Sequence, residues 1–516
     1  MMLFILGAVG GLVSCNYYVK NESHQNVSDK SIARGKMLAA SYCQSCHLLP
    51  DPSLLDAKHW EEGVLPAMGP RLGIFFYGTK GEYPSSKRDR NVDKNYYPAT
   101  PQISYVDWQS ILDYYTALSP DTLPLQQRQN AVKQNTLLFS IQTPVAQDSI
   151  PATCFVMIDT FHQPHQLLTA DAKSKNMFRY NDHLLQLDSL NVHATVVDVE
   201  MAANKMLACD IGIINPNNGK YGVAYQIKTG VSGRLKADTT RLFDSLARPV
   251  QLNAADLNGD GKTDYLVCEF GNLAGGLTWM ENKGDDRNFT KHVLRNFPGA
   301  IKAYIQDINN DGLPDIWALF SQGNEGIYLF INKGNGKFEE QEILRFPPIY
   351  GSSYFELADF NKDGHPDILY TCGDNADYST VLKPYHGVYI FMNDGNNHFK
   401  QQYFFAMHGC FKAMARDFDG DGDLDIAAIS FFADYVKHPE ESFLYLENIN
   451  NFNFQPFSIP GTSTGRWLTM DAGDLDGDGA QDIILGNFSI APTFLPTAID
   501  WKKGPSFLVL KNIMKK

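Results

Sequence analysis

One nine-residue motif organises most of this chain, and its first copy reads Asp256-Leu257-Asn258-Gly259-Asp260-Gly261-Lys262-Thr263-Asp264. The pattern is Asp-x-Asp/Asn-x-Asp-Gly-x-x-Asp followed by a β-branched apolar run, and it starts again at Asp307, Asp359, Asp417 and Asp474. Successive copies start 51, 52, 58 and 57 residues apart. A period of this length is typical of a four-stranded propeller blade with variable loops.

The motif has the spacing of a cation-binding loop. Oxygens at positions 1, 3 and 5 can converge on one cation, position 7 offers its carbonyl, position 9 adds a carboxylate, and glycine at position 6 permits a turn with positive φ. Oxygen donors without His or Cys favour Ca²⁺ over zinc or copper, and a flexible loop of many oxygens favours it over Mg²⁺. The motif therefore predicts about five bound calcium ions. Their ligands would be Asp256, Asn258, Asp260, Asp264, Asp307, Asn309, Asp311, Asp315, Asp359, Asn361, Asp363, Asp367, Asp417, Asp419, Asp421, Asp425, Asp474, Asp476, Asp478 and Asp482.

The surroundings of the motif distinguish it from an EF-hand. A strand-like run such as 315–320 follows each loop, and both the flanking helices and the Glu at position 12 are missing. The segments resemble FG-GAP or VCBS repeats, similar to those of the integrin α-subunit propeller. Two degenerate repeats, around 196–200 and from 155 to 171, lack the glycine and the later carboxylates, so we expect blades there without calcium. Seven blades would close a ring with no free edge.

A second motif lies near the N-terminus, where Cys43-Gln44-Ser45-Cys46-His47 has the Cys-x-x-Cys-His form of covalent haem attachment. A predicted helix over 32–42 leads into it, and 108–118 has apolar residues at helical spacing. These segments resemble the first and last helices of a small class I cytochrome c. The resemblance implies one haem c bound through Cys43 and Cys46, with His47 as an iron ligand.

The sixth position on the iron has two candidates. Met68 is the one methionine between His47 and Trp108, and such cytochromes usually close the iron with a thioether. His59 is the alternative, because bis-histidine ligation is also common. A third interpretation of Met68 is that it is a helix core residue.

The first fifteen residues form an apolar run, too short to span a bilayer, that is typical of a signal peptide. The run ends in Leu12-Val13-Ser14-Cys15, which resembles the bacterial lipobox and implies lipidation of Cys15, although no Lys or Arg precedes it. A plain secretory signal with a chance cysteine is the alternative. The expected location is outside the cytoplasm, as a membrane-anchored lipoprotein of the bacterial periplasm or cell surface.

Together these motifs predict the domain order: a signal peptide over 1–15, a monohaem cytochrome c domain over 30–120, a linker over 121–152 and a repeat propeller over 153–516. The predicted fold class is a small all-α domain followed by an all-β, seven-bladed propeller. The net charge of −14 argues against nucleic acid as a partner. In the loops of the propeller, Lys383, His408 and Arg466 could favour an anionic group, but solvated loop residues are the simpler interpretation.

The predicted function is electron transfer by a haem-c protein whose calcium-stabilised propeller is a docking or ligand-binding platform. Its partners would be a redox protein or a small-molecule electron donor, with the membrane held through the N-terminal lipid. One alternative is a quinohaemoprotein-like dehydrogenase whose propeller holds substrate and an organic cofactor and passes electrons to the haem. Adhesion through the propeller is a further alternative, which accounts for the repeats but not for the haem motif.

Overall fold

The computed structural model describes residues 18–514, except 79–80, 84–89, 135–136, 146–149, 203–204, 231–232, 285–287, 377–379 and 491–495. Cys15 and the rest of the predicted signal peptide lie outside the described residues. Within the described part of the chain, no helix is both long and apolar enough to cross a membrane.

The strands form seven sheets, one for each blade of a β-propeller, so the prediction of seven blades is confirmed. Blade 1 consists of β3 (Thr153–Asp159), β4 (Gln166–Asp171), β5 (Asn176–Tyr180) and β6 (Gln186–Asn191). Blade 2 consists of β7 (Val196–Ala202), β8 (Lys205–Asp210), β9 (Gly222–Thr229) and β10 (Leu235–Leu246). Blade 3 consists of β11 (Pro249–Ala255), β12 (Asp264–Glu269), β13 (Gly276–Asn282) and β14 (Phe289–Arg295). Blade 4 consists of β15 (Ala300–Gln306), β16 (Asp315–Phe320), β17 (Gly326–Asn332) and β18 (Phe338–Arg345).

The later blades follow the same order, with additions from the region before blade 1. Blade 5 consists of β19 (Ser352–Ala358), β20 (Asp367–Cys372), β21 (Gly387–Asn393) and β22 (Phe399–Ala406). Blade 6 consists of β23 (Cys410–Arg416), β24 (Asp425–Ser430), β25 (Phe443–Asn450), β26 (Asn453–Ser458) and the short parallel strand β1 (Lys133–Gln134). Blade 7 consists of β27 (Trp467–Gly473), β28 (Asp482–Asn487), β29 (Phe507–Asn512) and β2 (Phe139–Gln142).

Ring closure uses both ends of the propeller sequence. Strand β2 pairs antiparallel with β29, so a segment that precedes blade 1 completes blade 7. On the inner side, the Asp471 carboxylate of blade 7 accepts a hydrogen bond from the Ile158 amide of blade 1 at 2.8 Å. Strand β2 therefore completes the outer side of blade 7, and a hydrogen bond to blade 1 holds its innermost strand.

In blades 3 to 7, which contain the nine-residue motif, the second strand is buried on both faces. This burial explains why its sequence is a continuous apolar run. In β16, Ile316 and Ala318 pack against blade 3, whereas Trp317 and Leu319 pack against blade 5. Each such side chain contributes roughly 1.5–3 kcal/mol by leaving water. The five cysteines of the propeller are buried free thiols in this packing, as small apolar residues would be.

The region before the propeller contains α1 (Asp29–Tyr42), α2 (Ala57–His59), α3 (Leu65–Met68) and α4 (Tyr105–Leu118). Helix α1 begins after the N-cap Ser28 and α4 after the N-cap Ser104, each of which accepts a backbone N–H through its side chain. The two helices cross at Gly35, where a Cβ would collide with the Ser110 carbonyl. The predicted helical character of 32–42 and 108–118 is thus present locally.

The prediction of a separate all-α cytochrome c domain is wrong. The protein is mostly β, its helices are short, and their apolar core takes in Ile349 and Val381 from propeller loops. Tyr385 of blade 5 also donates a hydrogen bond from Oη to the Leu54 carbonyl at 3.1 Å. Short helices bury too little apolar surface to stand alone, so these use the propeller as part of their core. Helical periodicity reports one buried face of a helix but not what covers it.

The stretch predicted as a linker is packed along the propeller. Gln126 Nε2 donates to the His386 carbonyl at 2.9 Å, and Arg128 makes a two-point ion pair with Glu441, with both N···O distances at 2.6 Å. The same stretch supplies β1 and β2. The segment therefore fastens the helices to the ring.

Candidate functional site

The five copies of the sequence motif occupy the same place in five consecutive blades. Each connects the innermost strand to the second strand, as residues 307–314 connect β15 to β16, and the aspartate at position 9 is the first residue of the second strand. The inner strands of a propeller run in one direction, so these connections lie on one face of the ring. We call 256–264, 307–315, 359–367, 417–425 and 474–482 the acidic loops of blades 3 to 7.

Two sets of hydrogen bonds fold each acidic loop. The carboxylate at position 1 accepts the amide of the glycine at position 6, at 2.8 to 3.1 Å in the five blades. That glycine has positive φ throughout, +97° at Gly422 for example. The buried position 9 aspartate accepts the amide of position 2 at 3.0 to 3.3 Å, which ties the two ends of the loop together.

An asparagine at or near the end of each third strand completes the loop, and sequence reasoning missed it. Its backbone amide donates to the position 9 carboxylate at 2.7 to 2.8 Å. The five residues are Asn282, Asn332, Asn393, Asn448 and Asn512. The sequence does contain this asparagine, at or near the end of the apolar run that forms each third strand. Its distance along the chain from the position 9 aspartate varies, however, from 17 to 30 residues. A search with fixed spacing therefore does not find it.

The carboxylates converge most closely in blades 6 and 7. Ligand-capable oxygens of Asp417, Asp419 and Asp425 all lie within 4.8 Å of one another, as do those of Asp474, Asp476 and Asp478. Asp417 Oδ1 is buried without a hydrogen-bond partner, and burial raises the pKa of Asp425 to about 7. Crowded carboxylates with a partnerless buried oxygen fit a hard divalent cation.

Blades 1 and 2 lack this arrangement in their described residues. In blade 1 the turn after β3 is held by Asp159, which accepts from His162 Nδ1 at 2.8 Å. In blade 2, Asp198 lies inside β7 and accepts the Leu252 amide of blade 3 at 3.1 Å. Both fold as blades, as the degenerate repeats predict.

The haem-type motif forms the turn that ends α1. Cys43 caps the helix through its amide, which donates to the Ala39 carbonyl at 2.9 Å, and the Cys46 amide donates back to the Cys43 carbonyl at 3.3 Å. Cys43 is half-buried and Cys46 is exposed, and both thiols are free. Burial, together with the neighbouring Cys46, raises the pKa of Cys43 to about 11.

His47 has a defined tautomer. Its Nδ1 lies 2.9 Å from the Leu48 carbonyl, which can only accept, so Nδ1 carries the proton and Nε2 keeps its lone pair. Burial lowers the pKa of this half-buried imidazole, which favours the neutral form that binds metals.

The two candidates for the opposite ligand differ in their partners. His59 Nδ1 is held by its N-cap residue Asp56, at 2.7 and 2.8 Å from the two carboxylate oxygens. Met68 ends α3 and is half-buried against the same apolar cluster that Cys43 contacts. One ring nitrogen of His59 is thus engaged by Asp56, the N-cap of α2, whereas the thioether of Met68 lies among apolar neighbours.

Of the three loop residues predicted to favour an anion, Arg466 and Lys383 are buried, whereas His408 is half-buried and burial lowers its pKa to about 4. Arg466 is 2% exposed, donates from Nε to the Phe431 carbonyl at 3.0 Å and lies 3.9 Å from the centre of the Phe431 ring. Lys383 is 3% exposed. Arg466 therefore holds the loop between the second and third strands of blade 6, and neither Arg466 nor Lys383 is a solvated loop residue.

Glu325 is a buried carboxyl on that face that sequence reasoning also missed. It accepts hydrogen bonds from the Ser352 amide at 2.9 Å and from Ser352 Oγ at 2.6 Å, and burial raises its pKa to about 7. An acid whose pKa is raised by folding loses stability as pH rises from its unfolded pKa, about 4.3, to its folded pKa. Glu325 therefore destabilises the fold increasingly between about pH 4.3 and about 7.

The variant Glu325→Gln tests this assignment. It keeps the size of the side chain but cannot ionise, so its melting temperature should rise relative to the natural protein by on the order of 5 °C between pH 5 and pH 8. Calorimetry at several pH values in calcium-containing buffer gives the difference directly. A difference that does not depend on pH would contradict the assignment.

Comparison with known proteins agrees with this architecture. Residues 256–318, 307–370 and 417–485 match the FG-GAP-like repeat. The chain is 26% identical over 178 residues to integrin alpha-3 of Cricetulus griseus, covering 32% of this chain and 17% of that protein. It is 23% identical over 330 residues to cartilage acidic protein 1 of Xenopus tropicalis, covering 54% and 47%. The chain thus spans less than half the length of these relatives.

Among solved structures, the streptogramin B lyase structure aligns with 73% of this chain and 98% of its own at 12% identity, with a TM-score of 0.44. The seven sheets define this chain as a seven-bladed β-propeller, and part of it matches FG-GAP-like repeats and is similar to integrin alpha-3. This architecture is consistent with an interaction or docking platform.

Proposed function

We propose that this protein is an exported electron-transfer protein that carries one haem c at Cys43 and Cys46, beside a calcium-stabilised propeller that serves as a docking or ligand-binding platform. The observation that carries the proposal is the turn at the end of α1. It presents two free thiols and a neutral histidine whose Nε2 lone pair is available.

The residues present fit the group. A haem c needs two thiols three positions apart and an imidazole next to the second, and a metal-bound histidine usually donates its other N–H to a carbonyl or carboxylate. The bond from His47 Nδ1 to the Leu48 carbonyl at 2.9 Å is of that kind. The haem, when bound, would supply reversible one-electron chemistry. The chain would supply attachment, ligands and a surface for the redox partner.

The packing of the helices on the propeller supports a joint role for the two parts. Ile349 and Val381 belong to the apolar core of the helical region, and Tyr385 bonds to the Leu54 carbonyl. A partner docked on the neighbouring loops of blades 4 and 5 would therefore be held close to the proposed haem. Lipidation of Cys15 would keep this assembly at a membrane surface.

The spectrum of the full chain tests the proposal. Ascorbate and ferricyanide should convert the purified protein reversibly between reduced and oxidised haem c spectra. With Met68 as the sixth ligand, the oxidised protein should show the weak far-red band of sulfur-bound ferric haem, and Met68→Ala should abolish it and lower the reduction potential. His59→Ala is the matched control and should keep the band. A band that survives in Met68→Ala would contradict the ligand assignment, and a change of spectrum in His59→Ala would favour His59.

The acidic loops would bind calcium as a structural component. Several carboxylates are held within a few Å in each loop and repel one another, and a bound dication converts this repulsion into attraction. Supporting observations are the convergence of Asp417, Asp419 and Asp425 and the partnerless Oδ1 of Asp417. The first binding partners to test for are thus divalent cations, and after them a redox protein or a small electron donor.

A further inference from the structure

One position in the third strand of each acidic-loop blade faces the loop, and its charge differs between blades. It immediately precedes the asparagine whose amide bonds to the position 9 aspartate, so the register is the same in all five blades. The residues at this position are Glu281, Ile331, Met392, Glu447 and Lys511. Glu281 Oε1 lies 3.3 Å from Nδ2 of Asn258, the position 3 residue of its loop, so a side chain at this position reaches the loop.

In blade 7 this position places a lysine among the loop carboxylates. Lys511 Nζ lies 2.5 Å from Asp476 Oδ2, 3.2 Å from Asp482 Oδ2 and 3.9 Å from Asp478 Oδ2. The side chain is only 15% exposed, so water screens these interactions less than at the surface. The ammonium thus contacts three of the four carboxylates that the sequence assigns to calcium in this loop.

We propose that Lys511 is a built-in counter-ion that neutralises the acidic loop of blade 7, so that this blade folds without calcium while the loops of blades 3 to 6 bind it. The inference rests on the proposed calcium function of the other loops. The inference distinguishes two loops whose sequences predict equal calcium binding, because the loops that begin at Asp417 and Asp474 each carry four ligand carboxylates.

The residue at this third-strand position changes the charge around three of the five loops, those of blades 3, 6 and 7. At its four ligand positions and Glu447, the blade 6 loop holds five carboxylates, and its remaining aspartate, Asp423, pairs with Lys362 at 3.0 Å. The blade 7 loop holds four carboxylates and one ammonium. A divalent ion entering blade 7 would have to displace Lys511, which would leave that lysine poorly solvated and close to a like charge. Calcium affinity in loops of this kind rises with ligand charge, so blade 6 should bind most tightly and blade 7 at least tenfold more weakly than blade 6.

Lys511 also lies beside the strand pair that closes the ring. It lies on β29, the strand that pairs with β2 to complete the ring. A lysine in that strand reaches the loop whenever the ring is closed. The pairing of β2 with β29 would thereby need no calcium in blade 7.

The test compares the full chain with Lys511→Met, which installs the residue that blade 5 has at the same position. Lys503→Met is the matched control, because Lys503 pairs with Asp500 at 3.3 Å in the exposed connection between β28 and β29, outside the acidic loops. Calcium stoichiometry comes from equilibrium dialysis and stability from calorimetry, with and without chelator. We expect Lys511→Met to bind one more tight calcium ion than the natural protein, and to melt at a lower temperature than it in chelator but not in calcium. Lys503→Met should match the natural protein.

Other outcomes separate the two hypotheses. If Asp474→Asn removes a tight calcium ion from the natural protein and Lys511→Met adds none, blade 7 already binds calcium and the inference is wrong. If no variant binds calcium, the proposed calcium function fails, and the inference is then decided in chelator alone. A lower melting temperature for Lys511→Met would support Lys511 as the counter-ion, and an unchanged one would overturn it.

Discussion

Chelation of calcium is expected to lower the melting temperature of the propeller by on the order of 20 °C. A ligand present at a hundred times its Kd stabilises the folded state by about 2.7 kcal/mol per site, so four loops give about 11 kcal/mol. In a domain of this size, about 1 kcal/mol corresponds to roughly 2 °C. Calorimetry of the full chain in millimolar calcium and in excess chelator measures the shift.

A matched pair of variants assigns the shift to the acidic loops. Asp417→Asn removes a proposed ligand from blade 6, the loop with the most carboxylates, and should reduce the calcium response by about a quarter, the share of one site in four. Asp244→Asn removes an exposed aspartate on β10 of blade 2 and should leave the response intact. A melting temperature that is the same with calcium and with chelator would show that the loops are hydrogen-bonded turns without a structural metal.

Replacement of both Cys43 and Cys46 by alanine is expected to abolish covalent haem completely. Each thiol would form one thioether to the haem, so the double variant keeps no bond that survives denaturation, whereas either single variant keeps at most one. Pyridine haemochrome spectra of the denatured protein give the haem content per chain. Cys268→Ala is the control, because Cys268 is a fully buried free thiol of blade 3 and should leave haem content unchanged.

The propeller could be predicted from the sequence because its signal repeats. Each motif combines a glycine that needs positive φ, carboxylates at alternate positions and a following buried strand, and five copies at nearly constant spacing exclude a chance match. Blades 1 and 2 can be predicted from the apolar runs of their degenerate repeats, which raise the count from five to seven, a number of blades that closes a propeller ring.

Features that depend on distant parts of the chain could not be predicted. Strand β2 pairs with β29 across more than 360 residues of intervening sequence, and nothing in the short segment Phe139–Gln142 identifies its partner. Helical spacing predicts an independent domain here, because it shows a buried face but not that Ile349 of the propeller covers it. Lys511 looks like an ordinary strand lysine until the fold brings it to Asp476.

The most direct test of the central claim is the intact mass of the full chain, produced in a bacterium that attaches haem c and then denatured. The account predicts a mass increased by one haem, with Cys43 and Cys46 both resistant to alkylation. A mass without haem, with both thiols open to alkylation, would contradict it.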